Sequence, residues 1–196
     1  MDFEHSDRAK QLQRQLDAFI KRYLLPYNPA WHHSVQSGIY PPPFLEDLKA
    51  LARDEGLWNM FLPELQPNEP GTRLSHLDYA GLAEIMGRLP WASEVFNCNA
   101  PDTGNMDLLH RFGTEEQKKW WLQPLLEGRF RSAFAMSEPD VASSDPTNLQ
   151  TTVRREGDQL VLNGRKWFIT GATHPNCKLL ICSRRFNIDP GRVAAV

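Results

Sequence analysis

Two stretches of the 196-residue chain hold residue types that could do chemistry. FAMSEPDVASSDPTN, Phe134 to Asn148, closes a run suited to a strand and offers the hydroxyl of Ser137, followed by Ser143, Ser144 and Asp145. LNGRKWFITG, Leu162 to Gly171, sets Trp167 and Phe168 ahead of the hydroxyl of Thr170. A flat aromatic wall beside two hydroxyls can stack on a planar heterocycle such as a flavin and hydrogen-bond its rim. Plainer roles suit the same residues. Pro139, Asp140, Ser143, Ser144, Asp145 and Pro146 are ordinary turn formers, and Trp167 to Thr170 would serve as a core strand with alternating faces.

Other chemistries find no support in the residue pattern. No GxGxxG or GxxxxGK[ST] string occurs, so a nucleotide cofactor would have to bind without the common phosphate-cradling loops. His5, His76, His110 and His174 are scattered and His32-His33 fall in a Pro- and Ser-containing stretch read as loop, with no HxxxH or HExxH spacing; surface or internally satisfied histidines and no metal site are expected. Cys98, Cys177 and Cys182 form no CxxC pair and no even disulfide framework, which suits buried thiols in a reducing compartment. Lys+Arg 22 against Asp+Glu 24 gives a formal charge of -2 without a basic stripe, so nucleic acid is not an expected partner. Hydrophobic residues are 41% and charged residues 23% of the chain, a globular composition with no membrane span. The start, MDFEHSDRAK, is charged and acidic where a secretory signal needs a basic start and an apolar run, which makes the cytoplasm the expected address.

The elements that must position these residues change character along the chain. Ser6 reads as an N-cap for a helix through Ala9, Leu12, Leu16, Phe19, Ile20, Tyr23 and Leu24 that Pro26 should stop. A second helix follows Pro43, with Phe44, Leu48, Leu51 and Ala52 on one side and Gly56 as terminator; a third runs from a cap at Ser75 to Gly87. A short helix starts near Asp102, and Thr114 to Gln117 form a capping box for a last helix ending at Gly128. Its Trp120-Trp121 pair can bury at most one ring, so the other is expected at a domain contact. From Phe130 the period becomes that of strands: RSAFAMSE, LQTTVRREG, QLVLNGRKWFIT and KLLICS, with turn signals at Glu156 to Asp158 and at Asn163-Gly164. The expected class is α+β: an all-helical domain over 1–129, then an incomplete antiparallel β domain over 130–196.

AMSEPDVASSD followed by NGRKWFITG, after a helical half ending in GTEEQKKWWLQPLLEG, resembles the acyl-CoA dehydrogenase family over essentially the whole chain. FNCNAPDTGNMDLLHRFGTEEQKKWWLQPLLEG resembles its long-chain-type branch, whose animal members are fused to kinase-like domains. The resemblance implies FAD as cofactor and oxidation of a medium to long acyl-CoA to the trans-2-enoyl-CoA, as in fatty acid β-oxidation. It also implies an electron-transferring flavoprotein as electron acceptor and a homo-oligomer. Position by position, Phe134, Met136 and Ser137 match the strand at the isoalloxazine, Ser137 at its pyrimidine side; Phe168 matches the aromatic on the flavin face and Thr170 the hydroxyl aimed at N5. Ser143, Ser144 and Asp145 correspond to a GSD turn near the pyrophosphate and the thioester. SEPDVASSD is one residue longer than the common TEPxAGSD, so either serine can hold the matching place. The segment Asn97 to Asn105, Asn97 and Asp102 included, would line the acyl channel, although Asp102 equally suits a helix start.

In that family the α-proton is taken by a carboxylate of a C-terminal helical domain, so no catalytic base is expected among these 196 residues. Glu138 reads as a structural hydrogen-bonding residue. The chain alone is accordingly expected to bind FAD weakly or not at all and to be inactive. Two rivals stand beside the dehydrogenase: a catalytically dead chain that packs against a full-length relative, and an acyl-CoA oxidase or flavin hydroxylase of the same superfamily. On this reading the tail FNIDPGRVAAV is expected to lack the strands that finish the β domain, leaving a sheet edge open.

Overall fold

The computed structural model describes residues 3–63 and 65–185. The tail from Phe186, on which the unfinished-sheet expectation turns, lies outside the described residues.

Helices make up the first part. Ser6 caps α1 (Asp7–Phe19) by accepting the Ala9 N–H at 3.2 Å, as its type and place imply. Pro26 does not end the run. A π-helical turn (Ile20–Leu24) and a 3-10 turn (Leu25–Tyr27) carry the chain into α2 (Asn28–Gln36), because Pro26 falls in a first turn where its missing N–H costs nothing. His32 and His33 therefore sit on a helix and not in a loop. In α3 (Leu45–Asp54) the buried face is Leu45, Leu48 and Ala52, while Leu51 turns outward. The remaining helices are α4 (His76–Met86), the four-residue α5 (Ala92–Val95), α6 (Asp102–Phe112), and α7 (Glu115–Gln117), which leads through a π-turn (Lys118–Leu122) into α8 (Gln123–Leu126).

The Thr114–Gln117 capping box forms with both of its bonds. At Gly128 φ is +70°, and a Cβ would lie 2.8 Å from the Trp58 ring, so glycine both ends the helix and lets the chain pass. One apolar cluster runs through the helices, with Leu16, Phe19, Leu57, Met60, Phe96 and Leu125 almost wholly enclosed. Neither tryptophan of the Trp120-Trp121 pair enters it: Trp120 is exposed, and Trp121 meets Phe130 with ring centroids 6.5 Å apart.

The β region is two small sheets. β2 (Thr152–Glu156) and β3 (Gln159–Asn163) form the expected antiparallel hairpin, turning at Gly157 with φ +63°. β1 (Arg131–Ala135) pairs with β4 (Cys177–Cys182) in parallel, where the sequence reading has antiparallel strands throughout. The segment after Asn163-Gly164 is also not a strand, contrary to expectation: Phe168 adopts φ +49°, which breaks an extended run. That irregular segment is the crossover that lets β4 enter alongside β1.

β1 is bolted to the helical part by charge. Asp102, in the first turn of α6, accepts from Ser132 N and Ser132 Oγ, both at 2.6 Å, and from Arg131 Nε at 2.5 Å. Arg131 also pairs with Glu94 of α5, which lies 3.7 Å from Lys49 and accepts from Tyr40 at 2.5 Å. Burial would raise the Glu94 carboxyl, but the Arg131 and Lys49 charges outweigh it and hold it below its ordinary value. No helix among the described residues is long and apolar enough to cross a membrane.

Candidate functional site

The two informative stretches meet. Trp167 N–H donates to the Ser137 carbonyl at 3.1 Å, and the Lys166 ammonium donates to the Met136 carbonyl at 2.8 Å. This places Trp167 next to the residues that follow β1, and the chain then runs back along the strand so that Gly171, just past Thr170, lies against the Ser132 carbonyl. Phe168 is 84% exposed, and its ring lies against that of Trp167, with centroids 4.6 Å apart. Phe134 is also exposed on β1. Neither the Ser137 nor the Thr170 hydroxyl has a hydrogen-bond partner among the described residues.

The turn residues separate into two kinds. Ser143 is buried: its hydroxyl accepts the Glu138 N–H at 2.7 Å and donates to the Val141 carbonyl at 3.2 Å, closing the loop on itself. Ser144 is exposed. Asp145 Oδ1 accepts from Thr147 N at 2.9 Å and Thr147 Oγ1 at 2.7 Å, capping the 3-10 turn Pro146–Asn148; these bonds hold its carboxyl below the ordinary range.

Glu138 is the residue whose weight the sequence reading underrates. It is 5% exposed, and its carboxylate accepts from Gln150 N at 2.7 Å, Thr151 N at 2.9 Å, Thr151 Oγ1 at 2.5 Å and Lys166 Nζ at 2.9 Å. Burial alone would raise its pKa, but bonds from Thr151, Lys166 and the Gln150 amide win and set it at about 2. It is a fixed negative charge and no proton acceptor near neutral pH. Pro139 and Asp140 mark a turn; that four donors would converge on the preceding glutamate has no local signal.

Asn97 and Asp102 are enclosed. Asn97 Nδ2 donates to Asn59 Oδ1 at 2.7 Å and to the Leu125 carbonyl at 2.9 Å, while Asn59 Nδ2 reaches the Leu126 carbonyl at 2.8 Å. Together they satisfy the open carbonyls at the end of α8. Asp102 is spent on β1, as described above. His174 departs from the expectation of a surface or satisfied histidine. It is 8% exposed, its Nδ1 accepts from Asn176 N at 3.1 Å, and its Nε2 is buried with no partner. Burial first, then the Arg131 charge, lowers its pKa. Among the described residues no three His, Cys, Asp or Glu side chains gather in a way that could hold a metal.

The fold is of the α+β class, a helical domain joined through Arg131 to a small two-sheet β region. Residues 6–129 match the acyl-CoA dehydrogenase N-terminal domain and residues 133–194 the acyl-CoA dehydrogenase middle domain, so the chain belongs to the acyl-CoA dehydrogenase family. Acyl-CoA dehydrogenase family member 11 of Gallus gallus is 48% identical over 185 residues, covering 91% of this chain and 23% of the relative. FadE2 of Mycobacterium tuberculosis, named as an acyl-CoA dehydrogenase, is 45% identical over 194 residues, covering 96% of this chain and 46% of its own length. A solved structure from Mycobacterium abscessus, described as of the acyl-CoA dehydrogenase kind, superposes with a TM-score of 0.84 at 50% identity over 91% of this chain and 46% of that one. The chain thus spans about half the length of the bacterial relatives and about a quarter of the larger animal protein.

Proposed function

We propose that this chain forms one wall of an FAD site in a protein that oxidises acyl-CoA thioesters to trans-2-enoyl-CoA. The observation that carries the reading is the meeting of the two strings, where Trp167 N–H and the Lys166 ammonium bond the Ser137 and Met136 carbonyls, the Trp167 and Phe168 rings stay exposed, and the Ser137 and Thr170 hydroxyls have no hydrogen-bond partner among the described residues. The residues fit the group: a planar heterocycle with polar edges offers stacking for the rings and acceptors for both hydroxyls. When bound, FAD supplies the acceptor for the hydrogen leaving the β-carbon as hydride.

The chain's own residues bind and orient. Phe134, Met136, Ser137, Phe168 and Thr170 would hold the ring system, the aromatics by stacking and the two hydroxyls by hydrogen bonds. Ser144, with Asp145 setting the turn, is the serine left free to approach the pyrophosphate or thioester, since Ser143 is consumed within the loop. Asn97 and Asp102 act as the frame behind the acyl channel. The α-proton goes to a carboxylate other than Glu138, whose pKa of about 2 makes it a poor base. An electron-transferring flavoprotein takes the electrons, and the assembled protein is a homo-oligomer.

Titrating the 196-residue chain into FAD and following flavin fluorescence tests the wall. Weak but saturable quenching is expected, and quenching that never saturates would end the flavin reading. Anaerobic addition of octanoyl-CoA or palmitoyl-CoA to the FAD-loaded chain should leave the flavin band unbleached. Bleaching would show that a base is present within these residues.

A further inference from the structure

Residues 164–170 supply Phe168 and Thr170 to the proposed flavin face, yet they belong to no strand, and among the described residues their one backbone hydrogen bond toward β1 runs from Trp167 N to the carbonyl of Ser137, two residues past the strand. One such bond between partly solvated groups does not offset the entropy of ordering so many residues. Something else must hold the segment.

We infer that the Lys166–Glu138 pair is the positioning element of this face: a buried charge clamp that fixes the segment bearing Trp167, Phe168 and Thr170 against Met136 and Ser137. The inference rests on the flavin reading for its purpose, though not for its geometry. The Lys166 side chain is 12% exposed and that of Glu138 is 5% exposed, so neither charge is solvated enough to stand alone. One ammonium donates both to the Met136 carbonyl at 2.8 Å and to Glu138 Oε1 at 2.9 Å, spanning the end of β1. The same carboxylate takes the Gln150 and Thr151 amides and the Thr151 hydroxyl. Glu138 therefore ties three segments at once: its own turn after β1, residues 150–151 leading into β2, and residues 164–170. Gly164 packs directly on the Thr151 side chain, and a Cβ there would collide with Oγ1, so the segment enters the clamp with no space between the two chains.

Neither residue touches the proposed ring site; both act through the backbone of Met136 and through the segment that Lys166 belongs to. A carboxylate saturated by four donors is what a positioning role needs, because a fully satisfied buried network has one arrangement.

The test uses the 196-residue chain with Lys166→Met, Lys166→Arg and Glu138→Gln. The first readout needs no cofactor: hydrogen exchange at the Trp167 amide, with the amides of α1 and α6 as internal references. The second is FAD binding by flavin fluorescence. Lys166→Met and Glu138→Gln are expected to speed Trp167 exchange at least about tenfold, the scale of one lost charged hydrogen bond. Exchange in α1 and α6 should not move, and FAD affinity should weaken alongside. Lys166→Arg keeps the charge and should recover part of both effects. Unaltered Trp167 exchange in both neutral variants would overturn the inference. So would loss of helical circular dichroism in both, since the pair would then hold the fold and not the face. If the parent chain binds no FAD, the flavin reading fails by itself, and the exchange measurement still decides whether the clamp positions the segment.

Discussion

Phe168 holds a bulky side chain at φ +49°, a conformation that costs about 1–2 kcal/mol for a residue with a Cβ. The ring itself does little to return that cost, because it is 84% exposed. On the proposed flavin reading, stacking of the ring on the cofactor would offset it. Phe168→Gly would relieve the strain but add roughly 0.5–1 kcal/mol of chain entropy, so the two nearly cancel. The urea midpoint should stay within about 1 kcal/mol of the parent, while FAD quenching is lost; a large drop in stability would show that the ring serves the fold. His174 offers a second test at this scale. Buried and facing Arg131, Lys49, Glu94 and Asp102, it has a folded pKa below its ordinary value of about 6.5. The unfolded chain therefore binds the proton more readily between the two values. Stability from this residue is full above about pH 6.5 and falls as the pH drops toward the folded pKa. Urea melts at pH 7.5 and 5.5 should show that loss in the parent and less of it in His174→Asn, which keeps an acceptor for the Asn176 amide. An equal loss in both proteins would absolve His174.

Elements defined by local chemistry formed where their residues indicate. The Ser6 and Ser75 caps, the Thr114–Gln117 capping box and the stops at Gly56, Gly87 and Gly128 each rest on a few neighbouring residues, so they can be read without knowing the fold. Thr114→Ala should cost about 1 kcal/mol in a urea melt, the value of a lost N-cap; no change would mean the helix start is held by packing alone. Where neighbours compete, the local reading slips. Pro26 looks like a terminator but opens the next helical turn, and residues 166–170 look like a strand but run irregularly past β1. β3 shows the opposite case: its Leu160-Val161-Leu162 run reads as a strand, and it forms, although every residue in it is exposed.

Across the whole molecule, the two parts are joined by Arg131, which sits on β1 and reaches Glu94 and Asp102 in the helical part. Its side chain is 9% exposed, so Arg131→Met leaves the buried Asp102 without its cation and Glu94 with Lys49 alone. A loss of about 3–5 kcal/mol is expected in urea unfolding, the range for breaking a buried pair from one side; a loss below about 1 kcal/mol would put the join elsewhere. From the sequence alone follow the helical first part, the strand-rich second part, the caps and turns, and the two strings that resemble a flavin-binding family, because each depends on residue types within a few positions of one another. The tertiary structure decided the rest: the parallel pairing of β1 with β4, the enclosure of Asn97, Asp102 and Ser143, the isolation of His174 Nε2, and the convergence of four donors on Glu138. These are contacts between residues far apart in the chain. Residue type says that Asp102 or Glu138 can accept hydrogen bonds; only the path of the backbone determines which donors arrive and whether water is left to compete.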